Sequence, residues 1–254
     1  MNKMFQYQTV FDDTLSKEFR TILSVSPRFK ATDITGCSLW LDSSDSTTLT
    51  FNSNQMLNWQ DKTTGKNFAP PSPSNAPILG KKINGYDTIE FLQAVSYLQY
   101  TGSITYQECF VVCELQDNNL ISQIIGSYAQ GIHLAVDMRG SDAASGLFSF
   151  DGNNALSLTA QYALNNNPYG VAFYANTTTS QPRLTIGIPQ SIACIWSNIA
   201  TTSTHYIGAL LPSIDILTQN LAGVLAEIIV YDHLLSASER QFVRTYLNNK
   251  WGIL

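Results

Sequence analysis

Val224-Leu225-Ala226-Glu227-Ile228-Ile229-Val230-Tyr231 is the stretch from which the fold of this 254-residue chain is read. Its β-branched and aromatic residues suit a strand, and a period of two puts Val224, Ala226, Ile228 and Val230 on one core face. Leu225, Glu227, Ile229 and Tyr231 form the other face, which is also mostly apolar and therefore needs a cover. That cover follows directly. Ser236-Ala237-Ser238-Glu239 fits a capping box, in which Ser and the Glu three residues on satisfy each other's free amides. Phe242, Val243, Tyr246 and Leu247 then recur at helical spacing, which predicts one helix from about Ala237 to Asn248 on the outer face of the strand. Trp251 extends the seal. Glu227 is either a functional buried acid or the partner of Arg240 or Arg244 on that helix. The ion pair is the preferred reading, because buried charges need partners.

Working outward, the β pattern persists. Ile132–Val136 alternates cleanly, and runs rich in β-branched and aromatic residues occur at 38–41, 88–92, 109–115, 120–125, 147–150, 170–175, 191–196 and 205–209. Clusters of Gly, Asn, Asp and Ser separate them. Many short strands without intervening helices indicate an all-β sandwich or barrel. Four of the nine prolines lie in 70–77 and mark an extended surface connection inside one domain. Residues 1–33 read as an arm and 34–254 as the domain. In the arm, Leu15, Phe19 and Ile22 share a face of a possible short helix over Asp12–Leu23, which Ser26-Pro27 ends. Phe5, Tyr7, Phe11 and Phe19 are its candidate docking residues.

Composition removes several functions. Fourteen Lys plus Arg against nineteen Asp plus Glu give a net charge of −5, with no basic excess for a phosphate backbone, so nucleic acid is not an expected partner. Only 13% of residues are charged, against roughly 25% in ordinary soluble domains. Twenty-five Ser and nineteen Asn carry the polar load, a hydrated and weakly charged surface suited to protein contacts or neutral sugars. An apolar fraction of 44% supports a real core. No run approaches the ~18 apolar residues of a membrane helix, so no membrane insertion is expected. The N-terminus shows no secretory signal, so the expectation is that the protein works where it is made or leaves the cell by another route, such as inside a virus particle. Cys37, Cys109, Cys113 and Cys194 read as buried thiols, with a long-range disulfide as the alternative. Cys109 and Cys113, four residues apart on a strand, would be about 13 Å apart, beyond the ~7 Å of a disulfide.

Four blocks of sequence resemble one family. Cys37-Ser38-Leu39-Trp40-Leu41-Asp42-Ser43-Ser44-Asp45-Ser46 is similar to the opening "LWLDASDS" of concanavalin A-like, laminin G-like jelly-roll domains. Trp59-Gln60-Asp61-Lys62-Thr63-Thr64-Gly65 resembles their W-x-D-K-S-G motif, and Asn84-Gly85-Tyr86-Asp87-Thr88-Ile89-Glu90-Phe91 their next strand. Gly223–Asp232, with Ser236, Glu239-Arg240 and Lys250-Trp251-Gly252, resembles their "AEIIVYDRALSDAER…YLxxKWGL" ending. The resemblance implies two curved antiparallel sheets packed face to face, as in lectins, glycanases, adhesion modules and virion proteins, and so fixes no activity. A stand-alone domain of this flavour looks like those of large DNA viruses and phages. Residues 126–189 do not follow the family pattern. Relatives with lectin-like function often hold calcium at a sandwich edge, which makes Asp42, Asp45 and Asp61 candidate ligands. The alternative is that each Asp bonds its own turn. No other cofactor is expected.

Catalytic signatures are missing from the sequence. The E-x-D-x-x-E of retaining glycanases does not occur. Glu108 and Glu114 could share a face, but about 20 Å would separate them, against the ~9.5 Å of an inverting pair. His133, His205 and His233 lie in separate segments without a nucleophile elbow. Trp40 and Trp59 could stack on a sugar, though strand aromatics usually belong to the core. Asn153, Asn154, Asn166 and Tyr169 sit in polar stretches suited to neutral hydrogen bonding. The expectation is a non-enzymatic structural component of a virus particle, a minor capsid or surface protein located in the virion and contacting neighbouring particle proteins. A carbohydrate-binding module for host attachment is the alternative, and a polysaccharide hydrolase a remote one.

Overall fold

A computed structural model of the chain describes residues 29–92, 95–116, 121–127, 132–137, 145–150, 161–162, 190–209 and 220–253. Within them the chain is antiparallel β-structure with one C-terminal α-helix, consistent with an all-β sandwich. The first strands are β1 (Cys37–Asp42), β2 (Leu49–Asn52), β3 (Gln55–Gln60), β4 (Asn67–Phe68), β5 (Ile78–Leu79) and β6 (Ile89–Phe91). Then come β7 (Leu98–Leu115), β8 (Ile121–Ser127), β9 (Ile132–Asp137), β10 (Ser145–Phe150), β11 (Gln161–Tyr162), β12 (Gln190–Ile207) and β13 (Gly223–Tyr231). Helix α1 covers Ala237–Trp251. Hydrogen bonding follows the order β11-β10-β9-β8-β12-β7-β13-β6-β5-β3-β2, with β1 also on β13 and β4 also on β3.

Two strands are far longer than the sequence suggested. β7 and β12 each run 18 residues and pair from Leu98↔Ile207 to Cys113↔Gln190, with one irregularity between Ile195 and Ile199. The expected strands 191–196 and 205–209 are therefore mostly one element. The polar residues between them read as a turn, yet Thr and Ser pair across the ladder here, as in Thr101–Thr204 at 3.0 Å.

β13 is the centre of the molecule, and all nine of its residues are buried. β7 lies on one edge, while β6 and β1 share the other. A register shift between Leu225 and Glu227 marks a bulge. The bulge breaks the strict alternation expected from the sequence. Leu225, Ile228 and Val230 join Leu39, Leu41, Trp59, Val111 and Cys113 in one apolar cluster. Val224, Ala226, Ile229 and Tyr231 turn to the opposite face, with Trp40, Phe110 and Val112. An extra residue in a strand re-aims its neighbours in this way.

Helix α1 seals that second face. Its capping box forms as expected: Ser236 Oγ accepts from the Glu239 amide at 3.3 Å, and the Ser236 amide donates to Glu239 Oε2 at 2.8 Å. Gly252 ends it in the left-handed region at φ 65°. Val243, Leu247 and Trp251 are its buried row. Phe242, expected in that stripe, is instead 59% exposed. Phe29 packs on Tyr246 with ring centroids 5.3 Å apart, and the buried Ala31 carbonyl accepts from Tyr231 Oη at 3.0 Å. Residues 29–33 of the expected arm are thus packed against the helix layer. Phe5, Tyr7, Phe11 and Phe19 lie outside the described residues, as does the expected strand 170–175.

Candidate functional site

Glu227 decides what kind of site the four sequence blocks make. Its carboxylate is fully buried and accepts four donors. Oε1 takes Trp40 Nε1 at 2.7 Å and Tyr246 Oη at 2.8 Å. Oε2 takes Trp251 Nε1 at 2.7 Å and Lys250 Nζ at 2.8 Å. The ion pair expected for Glu227 exists, but the cation is Lys250. Arg240 is bound to a different acid: its Nε and Nη2 clamp Glu108 at 2.6 and 3.0 Å, and the Leu235 amide adds a third bond at 3.0 Å.

Lys250 continues the network. Its ammonium donates to Asp42 Oδ1 at 2.6 Å and lies 4.9 Å from the Trp251 ring centroid. Asp42 Oδ1 also accepts Ser44 N at 3.0 Å and Ser44 Oγ at 2.7 Å, and its Oδ2 accepts Lys62 Nζ at 3.0 Å. Lys62 spans to Asp45 Oδ2 at 2.8 Å and stands 4.2 Å over the Trp40 ring. Asp61 caps its own turn, accepting from Thr63 and Thr64 amides and hydroxyls and from Trp40 N at 2.7 Å, with Lys66 3.4 Å away.

The third block closes the same corner. Asn84 and Gly85, with φ of 48° and 84°, form the two-residue turn of the Ile83–Tyr86 hairpin. Successive positive φ values suit Asn-Gly. Asn84 Nδ2 then bonds the Lys250 carbonyl at 2.8 Å, and Tyr86 meets Trp251 edge-on at 5.5 Å. All four blocks therefore converge on the C-terminal end of α1.

Electrostatics follows from this packing. Burial works against ionisation of Asp42, but Lys250, Ser44 and Lys62 outweigh it and hold the carboxyl below its ordinary range. Burial of Asp61 is likewise outweighed by hydrogen bonds from Thr63, Trp40 and Thr64. Lys62 and Thr47 lower Asp45 to about 2. Glu227 moves the other way: burial and the neighbouring Asp42 charge raise it, and Lys250 and Trp251 offset only part. Burial pushes the thiols of Cys37 and Cys113 up to about 12.

The remaining candidates are dispersed. Glu108 and Glu114 do share the helix-side face of β7, but each has its own cation, Arg240 and Lys81. Trp40 and Trp59 are buried and offer no face to a sugar. His205 is a core residue held by Tyr106 Oη at 2.9 Å and the Gly102 carbonyl at 3.0 Å. His233 pairs with Asp232 at 2.9 Å at the surface. Cys113 is a buried thiol and Cys37 a half-buried one, while Cys194 lies opposite Cys109 in the β7–β12 register. Among the described residues no three His, Cys, Asp or Glu side chains are grouped to hold a metal ion. Lysine ammoniums stand against Asp42, Asp45 and Asp61, so the donor set does not fit the calcium reading. No described helix is long and apolar enough to cross a membrane. Asn153, Asn154, Asn166 and Tyr169 lie outside the described residues, and the side chain of His133 is likewise not described.

Sequence reasoning missed Lys62, Lys250, Tyr246 and Asn84 as members of one network. A signal was present: each is placed within the quoted blocks or one helical turn from them. Compared with known proteins, the chain matches no family model and no curated sequence.

Proposed function

We propose that the chain is a non-enzymatic structural component of a virus particle, a minor capsid or surface protein built as a two-sheet concanavalin A-like jelly roll. The observation that carries this reading is the use of the four blocks. Asp42 and Glu227, the Trp40 and Trp251 indoles and Lys250 are joined in one interior corner, and with the Asn84 bond to the Lys250 carbonyl it fastens the first strand, the hairpin and the helix together. A hydrolase on this architecture would keep two acids open to a cleft. Asp42 and Glu227 do share Lys250, but one is 3% exposed and the other not at all. A weakly charged surface over such a fastened body suits permanent protein contacts better than steering of a charged ligand. The viral assignment itself rests on the sequence resemblance.

The test is assembly. Full-length chain and a 29–254 truncation are compared by light scattering and by cross-linking to proteins of purified virus particles. The truncation keeps Phe29 and Ala31 because they pack on the helix layer. The expected result is a folded, monomeric truncation and a full chain that joins particle proteins through residues 1–28. Hydrolysis of a polysaccharide panel, or a full chain that contacts no particle protein, overturns the reading. A glycan array examines the attachment alternative, with Asn166 and Tyr169 as the residues to change.

A further inference from the structure

Lys250, Asp42 and Glu227 form a constellation that can do more than pair charges. The Lys250 side chain is 11% exposed and its nitrogen touches both acids at once, Asp42 Oδ1 at 2.6 Å and Glu227 Oε2 at 2.8 Å. Trp40, Tyr246 and Trp251 all donate to Glu227 and fix that acid beside Lys250. On the far oxygen of Asp42, Lys62 supplies a second ammonium at 3.0 Å. An amine nitrogen at hydrogen-bond distance from a carboxyl group, an acid touching that same nitrogen and a cation on the other carboxyl oxygen are the parts an amide-forming reaction needs.

We propose that this corner is a covalent modification site, in which Lys250 Nζ and Asp42 Cγ condense into an intramolecular amide with Glu227 as the proton-transfer residue. The resting pair is charged, and the reactive form is the neutral pair reached when the proton crosses from Lys250 Nζ to Asp42 Oδ1. The nitrogen lone pair attacks Cγ and forms the C–N bond, while the charge developing on Oδ2 faces Lys62. Glu227 takes the proton that the nitrogen sheds and delivers it to the departing Oδ1 hydroxyl. The Cγ–Oδ1 bond breaks and water leaves. Acid and amine become amide and water, with no change of oxidation state and Glu227 restored. The product neutralises Lys250 and Asp42 together, and Glu227 keeps the Trp40, Tyr246 and Trp251 donors. It also ties β1 to α1 across 208 residues of sequence, a long loop of the kind whose closure stabilises most.

Intact mass spectrometry of the denatured full-length chain tests this directly. The expected mass is lower than that of the sequence by one water, and digestion yields a branched peptide joining Asp42 to Lys250. Lys250→Arg keeps a cation for both acids but has no amine to acylate. It should show the full sequence mass and melt lower by roughly 10 °C. Glu227→Gln, verified as folded by circular dichroism, should also keep the full mass. A wild-type mass that stays at the sequence value after prolonged incubation of the folded protein overturns the proposal. Water loss that persists in Lys250→Arg overturns it too, since the loss then arises elsewhere.

Discussion

On the inner face of the central sheet, Leu225, Ile228 and Val230 of β13 meet Leu39, Leu41, Val111 and Cys113 in one hydrophobic cluster. On the outer face Val224, Ala226, Ile229 and Tyr231 lie beside Glu227, with Glu108 on the next strand, and each acid reaches a cation on α1. Both faces are closed to water. The inner one is held by area removed from water, a non-directional force that tolerates repacking. The outer one is held by bonds with fixed partners, which set the rotation and the axial position of the helix. Packing alone would let a helix slide by a turn; Lys250 and Arg240, ten residues apart on the same helix, each with its own acid, forbid that.

The comparison breaks or stands on conservative exchanges. Glu227→Gln replaces one acceptor oxygen with an amide that faces donors on both sides, Trp40 and Tyr246 or Trp251 and Lys250. It should lower the unfolding free energy by about 3–5 kcal/mol in urea titration. Leu41→Met on the inner face should cost less than about 1.5 kcal/mol. Equal costs would mean that the two faces are held by the same force.

The buried Cys113 thiol and the half-buried Cys37 thiol sharpen the contrast kinetically. With values near 12, Cys37 and Cys113 are thiolate at pH 8 far less often than an ordinary cysteine. Alkylation of the native protein should be slower than in denaturant by roughly a thousandfold at these two positions, read by peptide mass spectrometry. Rapid native labelling of Cys113 would place solvent in the inner face.

Acidification acts on the outer corner and its loops. Asp42, Asp45 and Asp61 sit below their unfolded values, so the stability they contribute is complete above about 3.9. It is lost as the pH falls through their folded values, which for Asp45 is about 2. Glu227 has the opposite sign. Its raised value gives stability that is present below its unfolded pKa and lost as pH rises through the folded one. The urea midpoint should therefore drop between pH 4 and pH 2, and Asp61→Asn should flatten that drop while lowering the midpoint at pH 7. A profile that Asp61→Asn leaves unchanged would move acid sensitivity to other carboxylates.

How much of this was legible beforehand differs between the faces in the same way. The covering helix, its capping box and the Ile228 and Val230 part of the inner face follow from local pattern, whereas Val224 and Ala226, expected on that face, lie on the other. The bulge at Leu225–Glu227 was not legible, since a bulge leaves composition intact and changes only register. Nor was the choice of Lys250 over Arg240 for Glu227. Helical phase places both cations near the sheet, but which acid each reaches depends on the height of α1 above β7 and β13, which no local pattern encodes. Asn84 lies in a quoted block, but its bond to the helix end joins segments 166 residues apart, a pairing that no local pattern encodes.

The smallest effect tests the helix itself. Val243, Leu247 and Trp251 recur every fourth residue and are buried, whereas Phe242 precedes that row and is 59% exposed. Val243→Ala removes two buried methyl groups and should cost about 2 kcal/mol, a melting shift of roughly 4–8 °C. Phe242→Ser should stay within about 0.5 kcal/mol, because the ring gives up little protein contact. The two neighbours thus differ through phase alone, the same variable that brings Lys250 and Arg240 to the sheet. A loss at Phe242 as large as that at Val243, measured on the full-length chain and absent from the 29–254 truncation, would show that residues 1–28 cover the ring in solution. The outer layer would then have a second lid.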